Sequence, residues 1–226
     1  MKAQENESYS SPAMRERRHR ILVEARQLIS DRGVAGFSLA ELGKRAGVAK
    51  QTLYYAFGNK EAVVAAAILD YFEEYEEAIP YRAAPGSLDR LIERQVAIGR
   101  RNLTIRNYVA ALVSIYFGDA PALWSAMHAV AARSHRAYVE RLAESGRLQP
   151  WCNAGELVDG MVGQLFITAN SWVQGRIPDA RMIDRLVLGL LTYLAGAVDA
   201  ATRREVEAAI VQIADRGAEA YVAAPA

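Results

Sequence analysis

Cysteine is all but missing from this chain: Cys152 is the only one among 226 residues. A single thiol closes no disulfide and builds no thiolate metal cage within one chain, and a reducing cytoplasm is the compartment expected. Histidine is almost as scarce, with only His19, His128 and His135. The last two can share a helix face, yet no HExxH surrounds them and no Ser-His-Asp spacing leads to them. Neither catalysis, nor a metal, nor a cofactor is therefore expected. No apolar run approaches the ~18 residues of a membrane span, so no membrane partner is expected either. Residues 1–13, MKAQENESYSSPA, hold no apolar signal segment and read as a disordered leader. Lysine, finally, is missing after residue 60: Lys2, Lys44, Lys50 and Lys60 are the only four.

What is present points to helices. Apolar residues make up 52% of the chain, with Ala and Leu abundant. Runs of β-branched residues bounded by turn residues are few, which predicts an all-α fold. The net charge is only +1, but residues 1–60 carry 11 Lys+Arg against 6 Asp+Glu, a balance of +5. The remainder carries 16 against 20, a balance of −4. A basic head on a mildly acidic body gathers into one unit the face that suits a polyanion.

Residues 33–63, GVAGFSLAELGKRAGVAKQTLYYAFGNKEAV, spell two short amphipathic helices around a glycine turn, followed by the start of a third. Ser38 with Glu41 is a capping-box pattern. It predicts a helix from Leu39 with Leu39 and Leu42 inward and Glu41, Lys44 and Arg45 outward. Gly47 ends that helix by taking a left-handed backbone, Val48 plugs the angle, and 50–56 form a second short helix. Leu53 and Phe57 anchor the second helix, leaving Lys50, Gln51, Thr52, Tyr54 and Tyr55 on its remaining surface. This is the layout of a helix-turn-helix, whose second helix enters the major groove of DNA.

A helix is predicted upstream over 15–32, with Ile21, Leu22, Ala25, Leu28 and Ile29 on one face. Arg15, Arg17, Arg18 and Arg20 at its start read equally as phosphate contacts or as a solvated basic face. Downstream, Asn59 caps a long helix from 60 to about 78, broken by Pro80, Pro85 and Gly86. Glu73, Glu74, Glu76 and Glu77 on it read as a wet acidic surface. The body continues as helices of about 88–103, 105–117, 120–145, 154–174, 179–198 and 202–217. The expected division is a leader over 1–13, a helix-turn-helix DNA-binding domain over 14–60, and a helical effector-binding and dimerisation domain over 61–226.

Two segments, 157–173 and 182–198, are the most apolar in the chain and are greasy on two faces each. Such a helix buries one face on its own core and the other on a partner. A homodimer through a four-helix bundle is therefore expected. Leu157, Met161, Leu165, Phe166, Val173, Leu186, Leu190, Tyr193 and Leu194 are its interface candidates. Gly160, Gly163, Gly189 and Gly196 permit close helix approach.

The residues from Ile21 to Val63 also resemble a known family. The helix ending in RG, then GFSLAEL, KRAGV, TLYY and FGNKEAV are similar to the DNA-binding head of the TetR/AcrR family of transcriptional regulators. The resemblance covers about the first quarter of the chain. It implies base-edge contacts from Lys50, Gln51 and Tyr54, and phosphate contacts from Ser38, Thr52, Tyr55 and Lys60. These roles suit the chemistry: Lys donates to guanine, Gln pairs with adenine, and a Tyr ring packs on a thymine methyl. One of Tyr54 and Tyr55 is expected to pack within the head instead. Ala49 and Ala56 depart from the family's pattern, removing a capping oxygen and a phosphate contact, and Ala40 is too short to read a base.

The resemblance further implies a ligand-responsive regulator, usually a repressor, released from a palindromic operator on double-stranded DNA by a small-molecule effector. The alternative is a similar DNA-binding protein controlled by a protein partner. Candidate effector-lining residues are Tyr71, Tyr75, Tyr108, Ile115, Tyr116, Trp124, Met127, His128, Asn170 and Trp172. Apolar walls with a few polar points suit a mostly apolar molecule.

Overall fold

The computed structural model describes residues 12–223. Among them it holds α1 (Pro12–Arg32), α2 (Leu39–Ala46), α3 (Lys50–Phe57), α4 (Lys60–Ala78), α5 (Leu88–Thr104) and α6 (Arg106–Tyr116). These are followed by α7 (Pro121–Glu144), α8 (Ala154–Val173), α9 (Asp179–Ala197), α10 (Ala200–Arg216) and α11 (Ala218–Ala223). No strand occurs among the described residues. A single antiparallel bridge, Leu148 to Val198, ties the α7–α8 connection to the corner between α9 and α10.

Local chemistry places the boundaries. The Asn59 side chain accepts from the Ala62 amide at 2.7 Å, and Ser87 and Asn153 cap α5 and α8 in the same way. Asp199 accepts from the Thr202 amide, which starts α10 at Ala200, two residues before the expected 202. α1 is already helical at Pro12, the first described residue, ahead of the expected Arg15. Residues 1–11 of the expected leader lie outside the described ones. α11 was not foreseen. Gly217 stops α10, and the Asp184 carboxylate then accepts from the Ala218 amide at 2.9 Å to start one further turn.

α1, α2 and α3 form the head around Ile21, Leu22, Ala25, Leu28, Ile29, Leu42 and Leu53, all buried. α1 also packs along α4 and against α6, so head and body share one continuous core. In the body, α8 lies between α7 and α9, and α9 packs on α5 and α10. No single helix among the described residues is long and apolar enough to cross a membrane.

Candidate nucleic-acid interface and body cleft

The turn between α2 and α3 is held by backbone. Gly47 takes φ 65°, in the left-handed region, and the Val48 amide donates to the Gly43 carbonyl at 2.9 Å. Gly43 is itself buried. A Cβ there would stand 2.8 Å from the Val48 carbonyl oxygen, so glycine is what lets the two helices meet. Sequence reading passed over this residue, since nothing in its spacing distinguishes it from a weak helix former.

α3 is pinned through Leu53, which is fully buried, while Phe57 is half-buried beneath the Arg18 guanidinium, 4.5 Å from its ring. Lys50, Gln51, Tyr54 and Tyr55 are exposed, and Thr52 is half-buried. The Lys50 Nζ lies 5.5 Å over the Tyr54 ring. Neither tyrosine packs within the head as one was expected to: Tyr55 is 95% exposed. Ser38 stands in the N-cap position with extended backbone, but its side chain makes no capping bond. The capping box is not closed on either side: the Ser38 side chain accepts from no backbone amide, and Glu41 faces Arg45, which in turn donates to Asp31 of α1 at 2.7 Å. The Ser38 hydroxyl is thereby left on the surface. Lys60 opens α4 immediately after the capping Asn59.

α4 is bound to the head by charge. Arg26 donates to Asp70 at 3.3 Å and to Glu74 at 2.9 Å, and His19 Nδ1 lies 3.2 Å from Glu74. Burial pushes the Asp70 carboxyl above its ordinary range, and Arg26 opposes that shift. His19, Asp70 and Glu74 bring ligand atoms within 4.8 Å of one another, and the Arg26 guanidinium already pairs with both acids. Next to Asp70, the Tyr71 ring lies within 5.6 Å of both the Arg26 and Arg101 guanidinium groups, and Arg101 Nε donates to its hydroxyl at 2.7 Å. Glu73 and Glu76 also find arginines, Arg133 at 3.6 Å and Arg94 at 2.6 Å. The acidic run is largely exposed, as expected of a wet surface, and its members Glu73, Glu74 and Glu76 also make cross-helix ties.

The expected effector-lining residues fall into three groups. Tyr71, Tyr75 and Tyr108 stack as a core cluster, with Tyr108 edge-on to Tyr71 at 5.3 Å. Burial pushes the Tyr75 hydroxyl up to about 12 and the Tyr108 hydroxyl higher still. Tyr116, Trp124 and His128 form an outer cluster with Phe166, and His128 Nε2 lies 2.9 Å from Asp159. Ile115, Met127 and Trp172 are buried, and Asn170 is half-buried. Trp172 donates its indole N–H to Asp179 at 2.8 Å and lies under Arg106, so it is a satisfied core residue.

None of these residues borders the two adjoining clefts between α4, α5 and α7. The first, about 300 Å³, is lined by Phe72, Glu73, Glu76, Glu77, Arg94, Val130, Arg133 and Ser134. The second, about 220 Å³, shares Glu76, Arg94, Arg133 and Ser134 and adds Tyr81 and Arg90. Sequence reading missed both arginines shared by the clefts. Arg94 sits beside the inward positions Leu91 and Gln95, and a helical pattern alone does not mark it as buried. Close by, His135 is fully buried with neither ring nitrogen partnered; burial first, then Arg94, holds its pKa down at about 3.

On α8 and α9, Leu157, Met161, Phe166, Leu186, Leu190 and Leu194 are buried within the chain's own core, and Leu165 and Val173 are half-buried. α8 packs against α6, α7 and α9, and α9 against α5, α8, α10 and α11, which cover most of their greasy faces. The outward stripe is instead Gly163 and Ile167 on α8 with Thr192, Tyr193 and Gly196 on α9, Ile167 being 53% exposed. The stripes adjoin, for a Cβ at Gly160 would overlap the Tyr193 ring.

A three-helix head presenting one exposed short helix, set on a larger helical body, is the layout of a helix-turn-helix protein. Residues 21–67 match the model of bacterial regulatory proteins, tetR family. Over those residues the head of this chain is similar to that family. Solved structures share the whole fold. TylP, a TetR regulator from Streptomyces fradiae, is 18% identical with a TM-score of 0.61, covering 92% of this chain and 99% of its own. FadR from Bacillus subtilis, solved with stearoyl-CoA, is 18% identical with a TM-score of 0.58, covering 76% and 97%. SmeT, the repressor of a multidrug efflux pump in Stenotrophomonas maltophilia, is 19% identical with a TM-score of 0.55, covering 81% and 91%. No curated protein matches the chain in sequence.

Proposed function

We propose that this protein is a cytoplasmic repressor that holds a palindromic operator as a homodimer and is released by a mostly apolar small molecule. The observation that carries the reading is the surface of α3. Lys50, Gln51, Tyr54 and Tyr55 stand exposed together on a helix whose only fully buried side chain is Leu53. Lys50, Gln51 and Tyr54 read base edges, while Ser38, Thr52, Tyr55 and Lys60 hold phosphates. The dimer joins the outward stripes of α8 and α9 with those of a second copy, presenting two reading helices about one DNA turn (~34–36 Å) apart. The division into a head over 14–60 and a body over 61–226 fits this use, with α4 carrying the signal because it begins where the reading helix ends. An effector bound in the body favours a dimer whose heads no longer match both half-sites. FadR, with its bound stearoyl-CoA, and SmeT, a repressor, are neighbours in fold that make both halves of the reading reasonable to test.

The test is selection of bound sequences from a random duplex pool, followed by affinity measurement over a salt series. Enrichment of one palindrome, with affinity falling steeply as salt rises, is expected. Equal affinity for the selected site and bulk DNA overturns the proposal.

A further inference from the structure

The cleft between α4, α5 and α7 is lined by charges of both signs, and their burial is unequal. The Arg94 side chain is 8% exposed, and its Nε donates to Glu76 Oε2 at 2.6 Å. The Glu76 side chain is 43% exposed and also accepts from the Tyr81 hydroxyl. The outer pair, Arg133 with Glu73, is exposed on both sides. Phe72 and Val130 supply an apolar wall.

This inequality decides which ligand charge the cleft tolerates. At the rim a cation meets only the exposed Glu73 and Glu77; inside the cleft it would draw Glu76 to itself and leave Arg94 desolvated without a counter-charge, the costly way to break a buried pair. An entering anion leaves no charge stranded: it takes the place of Glu76 on Arg94, and Glu76 turns into water, where it already half lies. Arg133, at the rim, adds a second guanidinium. We propose that the cleft binds an organic carboxylate with an apolar tail, which displaces Glu76 from Arg94 and lays its tail on Phe72 and Val130. The exchange removes an ion pair tying the C-terminal half of α4 to α5, on the helix whose first turn follows directly from the reading helix. The proposal rests on the ligand-responsive reading above and gives its effector a chemical class.

The experiment uses the full chain and two probes of equal tail length, octanoate and octylammonium, followed by titration calorimetry and by release of a selected operator duplex. Octanoate is expected to bind saturably and octylammonium at least about tenfold more weakly. Glu76→Gln removes the internal competitor and is expected to tighten octanoate binding about tenfold. Arg94→Gln is expected to abolish it; if that variant does not fold, the charge pair of probes and Glu76→Gln decide alone. Equal binding of both probes, no saturable binding of either, or no change in Glu76→Gln overturns the proposal. The two readings fail separately. A wild-type protein that prefers no palindrome sinks the regulator reading whatever calorimetry shows. Operator release by octylammonium but not octanoate keeps the regulator and sinks the carboxylate.

Discussion

His135 shows how one side chain sets a property of the whole chain. It is fully buried with both ring nitrogens unpartnered, and its pKa is held at about 3 against an ordinary 6.5. Below pH 6.5 the unfolded chain takes up a proton on this imidazole while the native chain does not. Its contribution to native stability is therefore full above that pH and falls by about 1.4 kcal/mol per pH unit on acidification, until the native ring also titrates. His135→Leu is expected to flatten the decline of the urea midpoint between roughly pH 6 and 4; an unchanged slope counts against it. On the DNA side, Gln51→Ala is expected to cost about 1–3 kcal/mol and relax preference at one base pair. Lys60→Ala is expected to weaken all sequences alike and lower the salt slope by about one. Comparing variant and wild type on the selected site and on point-mutated sites separates the two outcomes. The individual residues of the head were legible because caps and anchors act over three or four positions. Leu53, Gly47 and Asn59 each carry their role in their immediate neighbours. The capping box is legible only in part, because where the Glu41 carboxylate turns depends on Arg45, held also by Asp31 from another helix.

At the scale of elements, the chain announces its helices well and their partners poorly. Each expected body helix is present, with ends shifted by a residue or two. What covers a helix is another matter. Leu157 and Met161 share a face in the pattern, but only the arrangement of α7, α8 and α9 shows that most of the greasy surface is covered by this chain. The same limit hid Arg94, whose burial comes from α4 and α7. Two element-level changes are predicted to be felt. Asn59→Ala removes the cap of α4 and is expected to lower stability by about 1 kcal/mol. Gly43→Ala pushes a methyl against the Val48 carbonyl and is expected to cost about 1–3 kcal/mol, read as a lower thermal midpoint with weakened operator binding. A Gly43→Ala protein with an unchanged midpoint would show that the turn has slack.

For the molecule as a whole, the proposed dimer makes surface and core separable. Ile167→Arg places a charge on the outward stripe without touching the core, and light scattering at micromolar concentration is expected to find a monomer of unchanged helicity. Leu190→Ala, by contrast, opens a cavity inside one chain and is expected to cost about 2–5 kcal/mol of stability. An Ile167→Arg protein that stays dimeric would move the interface elsewhere. The distribution of cations along the chain has a further use. Lys44 and Lys50 are exposed on the head and Lys60 lies half-buried at the head of α4, while the body carries arginine alone. Guanidinium groups are inert to reagents that acylate amines. Among side chains, a mild acylating label of amines therefore marks Lys2 and the three lysines at positions 44, 50 and 60, and peptide mass spectrometry of labelled chains becomes a direct gauge of whether operator covers the latter three, with no probe engineered into the protein.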